Sequence, residues 1–237
     1  MPTTTFHDIS WVNIACIIWL LIWWIGYSFF AKIMAKRSHC LASALHAYRI
    51  EWMDKLLLRE HRIADATLLA ALERNVSFFA STTMLILAGI VTVLTRTNNA
   101  FTVLEELPFT VVTTTVELQV KLLVLISIFI YAFFTFTWSM RQYGFCSIML
   151  GAAPMHDDKK VSEENKQLYA VHAAKLLDQA GHGYNFGLRS YYFAAALLVW
   201  FINPWLFMLA VSLVVSILYR REFHSKPLKS LLRGRAS

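Results

Sequence analysis

At 237 residues, 57% of them hydrophobic and only 16% charged, the chain is too apolar for an ordinary soluble domain, where those shares are roughly 45–50% and about 25%. The net charge of +7 comes from 22 Lys and Arg against 15 Asp and Glu. These basic residues stand at the ends of long apolar runs and between them, which argues against a nucleic-acid surface and for membrane lipids with anionic headgroups as partners.

The first apolar run, Ile9 to Ala31, is free of charge and rich in Trp. Met1 to Asp8 lacks Lys and Arg, so the run is not a typical signal peptide, and Lys32, Lys36 and Arg37 follow it. That order predicts an uncleaved anchor with its N terminus outside. Ser38 to Asn75 has apolar positions at helical spacing and the charge pairs Glu51–Lys55 and Arg62–Asp65, so it predicts an amphipathic helix running into the second span. The second and third spans are Val76–Leu94 and Leu122–Trp138, and Glu117 with Lys121 predicts an ion pair near the outer surface. Leu150 to Pro154 reads as a turn, and a further amphipathic helix is expected from an N-cap at Ser162 to Ala180, closed by Gly181.

The fourth run, Tyr191 to Tyr219, has 29 residues, about 44 Å as a helix, and Asn203-Pro204 interrupts it. If it crosses once, 14 basic residues lie inside and 8 outside; if it turns back at Asn203-Pro204, the split is 20 and 2. The charge balance favours the hairpin. Against it, Tyr191 to Ile202 is 12 residues, or about 18 Å, short for a span. The fold expected is all-α and integral to the membrane: a single domain over 1–237, with four to five transmembrane or re-entrant helices (9–31, 76–94, 122–138 and 191–219 broken at 203–204) plus cytoplasmic amphipathic helices.

No ionisable residue falls inside these spans, which weighs against proton relays and ion pathways. Hydroxyls such as Ser81, Thr82, Thr83, Thr92, Ser127, Ser212 and Ser216 are expected to pack. Trp19 and Trp23, four apart, suggest a helix-contact stripe. Charges cluster at span ends, where Arg59, Arg62, Arg141, Arg189 and Arg220 with Asp65 and Glu222 are candidates for a cytoplasmic-side phosphate or lipid site. Eight histidines contain no metal-binding spacing, and His39 and His46 share a face at most. Gly181 to Gly187 has the wrong spacing for a dinucleotide loop. Cys16, Cys40 and Cys146 form no disulfide framework. No catalytic constellation, cofactor motif or metal site is expected.

The strings Asn75-Val-Ser-Phe-Phe-Ala-Ser-Thr82, Trp138-Ser-Met-Arg-Gln142, Gly151-Ala-Ala-Pro154, Gly187-Leu-Arg-Ser-Tyr-Tyr192 and Leu218-Tyr-Arg-Arg-Glu-Phe-His-Ser225 resemble the bacterial membrane family of domain of unknown function 599, over about Arg49 to Ser225. The resemblance implies a multi-pass helical protein of the bacterial inner membrane. It brings no activity, and it marks Asn75, Trp138, Arg141, Gln142, Arg189, Tyr191, Tyr192, Arg220, Arg221 and Glu222 as signature positions. The expected function is non-enzymatic: an oligomeric scaffold, accessory subunit or lipid-binding protein, as a homo-oligomer or part of a membrane complex, with the C terminus cytoplasmic. A channel or small transporter gated at Asn203-Pro204 is the alternative, and a lipid-modifying enzyme a third.

Overall fold

A computed structural model describes residues 10–35, 40–97, 101 and 114–236. The expectations that rest on Met1–Ile9, Lys36, Arg37, Ser38, His39 and Ser237 lie outside them. Every regular element among the described residues is helical: α1 (Trp11–Ala35), α2 (Leu41–Leu57), α3 (Ile63–Thr95), α4 (Thr115–Ala152), α5 (Glu163–Leu198), a 3-10 turn (Val199–Phe201), α6 (Pro204–Phe223) and α7 (Lys226–Ala236). Three helices are long and apolar enough to cross a membrane, over Trp11–Ala31, Ile63–Thr95 and Thr115–Ala152. The helices form two compact units.

Unit 1 holds α1, the C-terminal part of α3, the N-terminal part of α4, the C-terminal part of α5, and α6. Contacts fix the directions of its helices. On α5, Trp24 meets Phe193 and Tyr27 meets Arg189, and in the 3-10 turn after it Asn13 meets Trp200, so α1 and α5 are antiparallel. On α6, Cys16 meets Pro204, Trp19 meets Met208 and Phe30 meets Tyr219, so α1 and α6 run together. The chain therefore reverses between α5 and α6, as the charge balance favoured. Leu20, Phe193, Leu197, Trp200, Phe207 and Val211 are fully or almost fully buried. Ile18, Leu21, Ile22, Ile25 and Phe29 on α1 point outward. An apolar face that wide suits lipid, in which packing rather than water exclusion holds helices together.

The length objection to the reversal disappears because α5 does not stop at Gly181. It runs through Gly181, Gly183 and Gly187 to Leu198, 36 residues or about 54 Å. The glycines serve packing rather than capping. A Cβ on Gly183 would stand 3.1 Å from Ser139 Cβ, and one on Gly187 would enter the Phe136 ring. Close approach lets the buried Ser139 hydroxyl donate to Ala180 O at 2.6 Å.

Unit 2 holds α2, the N-terminal part of α3, the C-terminal part of α4, the N-terminal part of α5, and α7. The expected continuous helix through residues 38–75 is two helices, since Leu58 to Arg62 separate α2 from α3. Cys40 and Ser43 cap α2 reciprocally, and Ser162 caps α5 as expected, its Oγ accepting from Asn165 N at 3.3 Å. Glu51 and Lys55 pair, as their spacing predicted. Tyr48 OH donates to Leu231 O at 3.0 Å, fastening α7 on α2.

Candidate functional site

The turn of unit 1 brings together the groups that the sequence placed at the span edge. Breaking α5 at Trp200 frees carbonyls that lipid cannot satisfy. Lys121, only 1% exposed, donates from Nζ to Trp200 O at 3.0 Å, and its ammonium lies 5.6 Å from the Trp200 ring centroid. A cation at the carbonyl end of a helix opposes the helix dipole. Trp200 Nε1 donates to buried Asn13 Oδ1 at 3.0 Å, and its ring stacks on Phe207. Across the turn, Asn203 Oδ1 accepts from Trp205 N at 2.8 Å, with Pro204 in the first helical position. Asn203-Pro204 is thus a helix start built to close a hairpin.

Glu117 and Lys121 stand in the first turns of α4, which begins at Thr115, and both are buried, at 4% and 1% exposure. They lie just before the span 122–138 that the sequence predicts. The hydroxyls pack, as expected. Ser28, Thr82, Thr92, Ser127, Thr137, Ser212 and Ser216 donate to carbonyls of their own helices. Thr83 instead meets Tyr191 OH at 2.8 Å. Trp19 and Trp23 do form the expected stripe, packing edge to face.

At the opposite end of unit 1, arginines lie on tyrosine rings. Arg189 sits 5.3 Å from the Tyr27 centroid. Arg221 sits 5.6 Å from Tyr192 and donates to its hydroxyl at 2.6 Å. Arg220 is exposed beside them in sequence.

In unit 2 the remaining candidates separate. Asp65, fully buried, accepts at Oδ1 from Arg59 and, at 2.7 Å, from Trp52 Nε1. The expected Arg62–Asp65 pair is replaced: Arg62 forks onto Ala153 O at 2.7 Å and Pro154 O at 2.6 Å, because α4 ends there with open carbonyls. That fork falls on the last two residues of the Gly151-Ala-Ala-Pro154 motif. Glu222 Oε1 accepts from Ala42 N at 3.1 Å, a carboxylate at the N-terminus of α2. Arg141 is exposed with its guanidinium 5.7 Å from Phe145, and Trp138 and Asn75 are exposed. Gln142 is buried, and its Oε1 has no donor among the described residues.

Sequence reasoning missed His46, Arg49 and Asp178. Asp178 accepts from both His46 Nδ1 and Arg49. The three-residue spacing of His46 and Arg49 on α2 was the available signal. Gly181 leaves room for the guanidinium, since a Cβ there would lie 2.7 Å from Arg49 Nη2. Burial pushes the Tyr169 phenol above its usual 10.0, with Arg62 pulling the other way. No cluster of metal-binding side chains occurs among the described residues.

The architecture among the described residues is all-helical, with three helices long and apolar enough to cross a membrane. The family model described as Protein of unknown function, DUF599 matches residues 15–227, and the chain belongs to that family. The match starts well before Arg49, inside α1. No curated protein matches the chain. No solved structure matches it.

Proposed function

We propose that the protein is a non-catalytic component of the bacterial inner membrane that binds anionic phospholipid at the basic end of unit 1. The observation that carries this reading is the pair of arginines seated on tyrosines, Arg189 on Tyr27 and Arg221 on Tyr192. A guanidinium stacked on an aromatic face is pre-oriented, and its forked N–H geometry suits a phosphate. The outward Leu213 and Ile217 on α6, one to two turns before Arg221, offer apolar surface to an acyl chain. In this reading α1, α4 and α6 enter from outside, α3 and α5 return, and the fourth apolar run makes two of five membrane segments. Arg220 and Arg221 then fall on the cytoplasmic side with the C terminus, in keeping with the bias of basic residues.

Native mass spectrometry of the full chain, extracted in mild detergent, tests the reading. Wild type should retain phosphatidylglycerol over phosphatidylcholine, and Arg189→Gln/Arg221→Gln should lose at least about tenfold of that preference, about 1.4 kcal/mol. Equal retention of the two lipids by wild type refutes it. The same spectra report the oligomer number, for which we propose a homo-oligomer or a place in a larger membrane complex.

A further inference from the structure

The part of α3 that belongs to unit 2 carries an outward stripe that lipid alone does not explain. Leu68, Ala71, Asn75, Phe78 and Thr82 follow one another at alternating steps of three and four residues, the spacing that keeps one seam of a helix on one partner helix. Leu68 and Phe78 are 56% and 65% exposed, and Ala71 and Asn75 are exposed. Thr82 is half-buried, its hydroxyl turned back to Phe78 O at 2.8 Å.

Two observations say what covers the stripe. α3 has 33 residues, about 50 Å of helix against a hydrocarbon core of ~30 Å. With the core beginning at Val76, where the charge-free run starts, the exposed Leu68 and Leu72 stand beyond it, and the acyl chains that cover Phe78 do not reach them. A cover that continues past the membrane edge is protein. In the middle of the stripe stands Asn75, whose amide makes no hydrogen bond among the described residues. An amide both donates and accepts, so its own copy, set opposite by a two-fold axis, complements it from both sides. Asn at such a position also fixes the register of a helix pair. The outward stripe of α4 lacks this property. Trp138, Arg141, Phe145 and Ile148 repeat the spacing, but a two-fold axis would set Arg141 against Arg141. On α3, Arg74 only flanks the seam, and its long stem lets the guanidinium reach water.

We propose that the stripe over 68–82 is a homodimer seam: a second copy of the chain packs parallel to it, with the two Asn75 amides bonded to each other. The proposal rests on the membrane reading of α3 and names the partner and the surface of the homo-oligomer. It makes no use of the arginines of unit 1.

The test is oxidative cross-linking of the full chain in inner-membrane vesicles, with one cysteine introduced at a time. Leu68→Cys, Ala71→Cys and Phe78→Cys should each give a product of twice the chain mass, well above wild type, whose own three cysteines are buried. Ala66→Cys and Ala70→Cys, exposed on the same helix but off the seam, should stay at the wild-type level. Asn75→Asp, which sets two carboxylates face to face, should cut the Ala71→Cys yield at least about tenfold, whereas Ala70→Asp should leave it unchanged. The pattern along the helix is read with Asn75 in place, so it decides the matter if Asn75→Asp fails to insert. No dimer product at the three seam positions, equal yields on and off the seam, a product of another mass, or a yield indifferent to Asn75→Asp would each overturn the proposal. None of these outcomes bears on phosphatidylglycerol retention, so the two readings fail separately.

Discussion

Two helix glycines should respond to the same substitution with opposite signs. A methyl at Gly144 on α4 meets nothing within 4 Å, so Gly144→Ala should collect the helix-propensity gain of about 1 kcal/mol. At Gly187 the three atoms nearest a new Cβ all belong to the Phe136 ring. That ring has no exposure and nowhere to slide, because Phe79 stacks on it at 5.5 Å and Tyr184 lies 6.0 Å away. Overpacking of this kind costs about 1–3 kcal/mol. After the propensity gain, Gly187→Ala should lose up to about 2 kcal/mol. By the scaling for chains of this size, roughly 2–4 °C per kcal/mol, the two apparent Tm values should diverge by several degrees around wild type. Thermal unfolding in one detergent, followed by tryptophan fluorescence, measures both. Equal shifts, or a Gly187→Ala protein as stable as Gly144→Ala, would refute the argument that the glycines in α5 exist for close packing.

Trp200→Phe keeps the stack on Phe207 but orphans buried Asn13 Oδ1, and should cost about 1–3 kcal/mol. Pairing it with Asn13→Val should recover part of that loss, with additive losses in the thermal cycle counting against the bond. Tyr169 supplies a pH dependence. Its folded pKa is raised above the unfolded 10.0, so its contribution is complete below pH 10 and is lost as pH rises through the folded value. Tyr169→Phe should accordingly flatten the fall in unfolding midpoint above pH 10.

The helical class and the break at Asn203-Pro204 were legible in the sequence because both rest on local chemistry, uninterrupted apolar runs and a proline, while the reversal there rested on the count of basic residues on each side. Helix ends were harder. Gly181 has the chemistry of a helix terminator, yet its missing Cβ was answering Arg49, a residue 132 positions earlier. Lys121 read only as the i,i+4 partner of Glu117 because sequence spacing shows local neighbours alone. Its burial depends on a carbonyl freed 79 residues later at Trp200. The candidate site divided for the same reason. Arginines at span ends look equivalent in sequence, but Arg59 finds a carboxylate, Arg62 a helix terminus and Arg189 an aromatic ring.

The pairing of first and last segments has a consequence for synthesis. In unit 1, Trp19 waits for Met208, 189 residues on, and Asn13 for Trp200. In unit 2, the first turn of α2 waits for Glu222 and Tyr48 for Leu231. A nascent chain thus carries α1 with its partner face uncovered and α2 with an unmet amide until the ribosome has delivered the closing helices. A product that stops before α6 and α7 lacks the closure of both units at once.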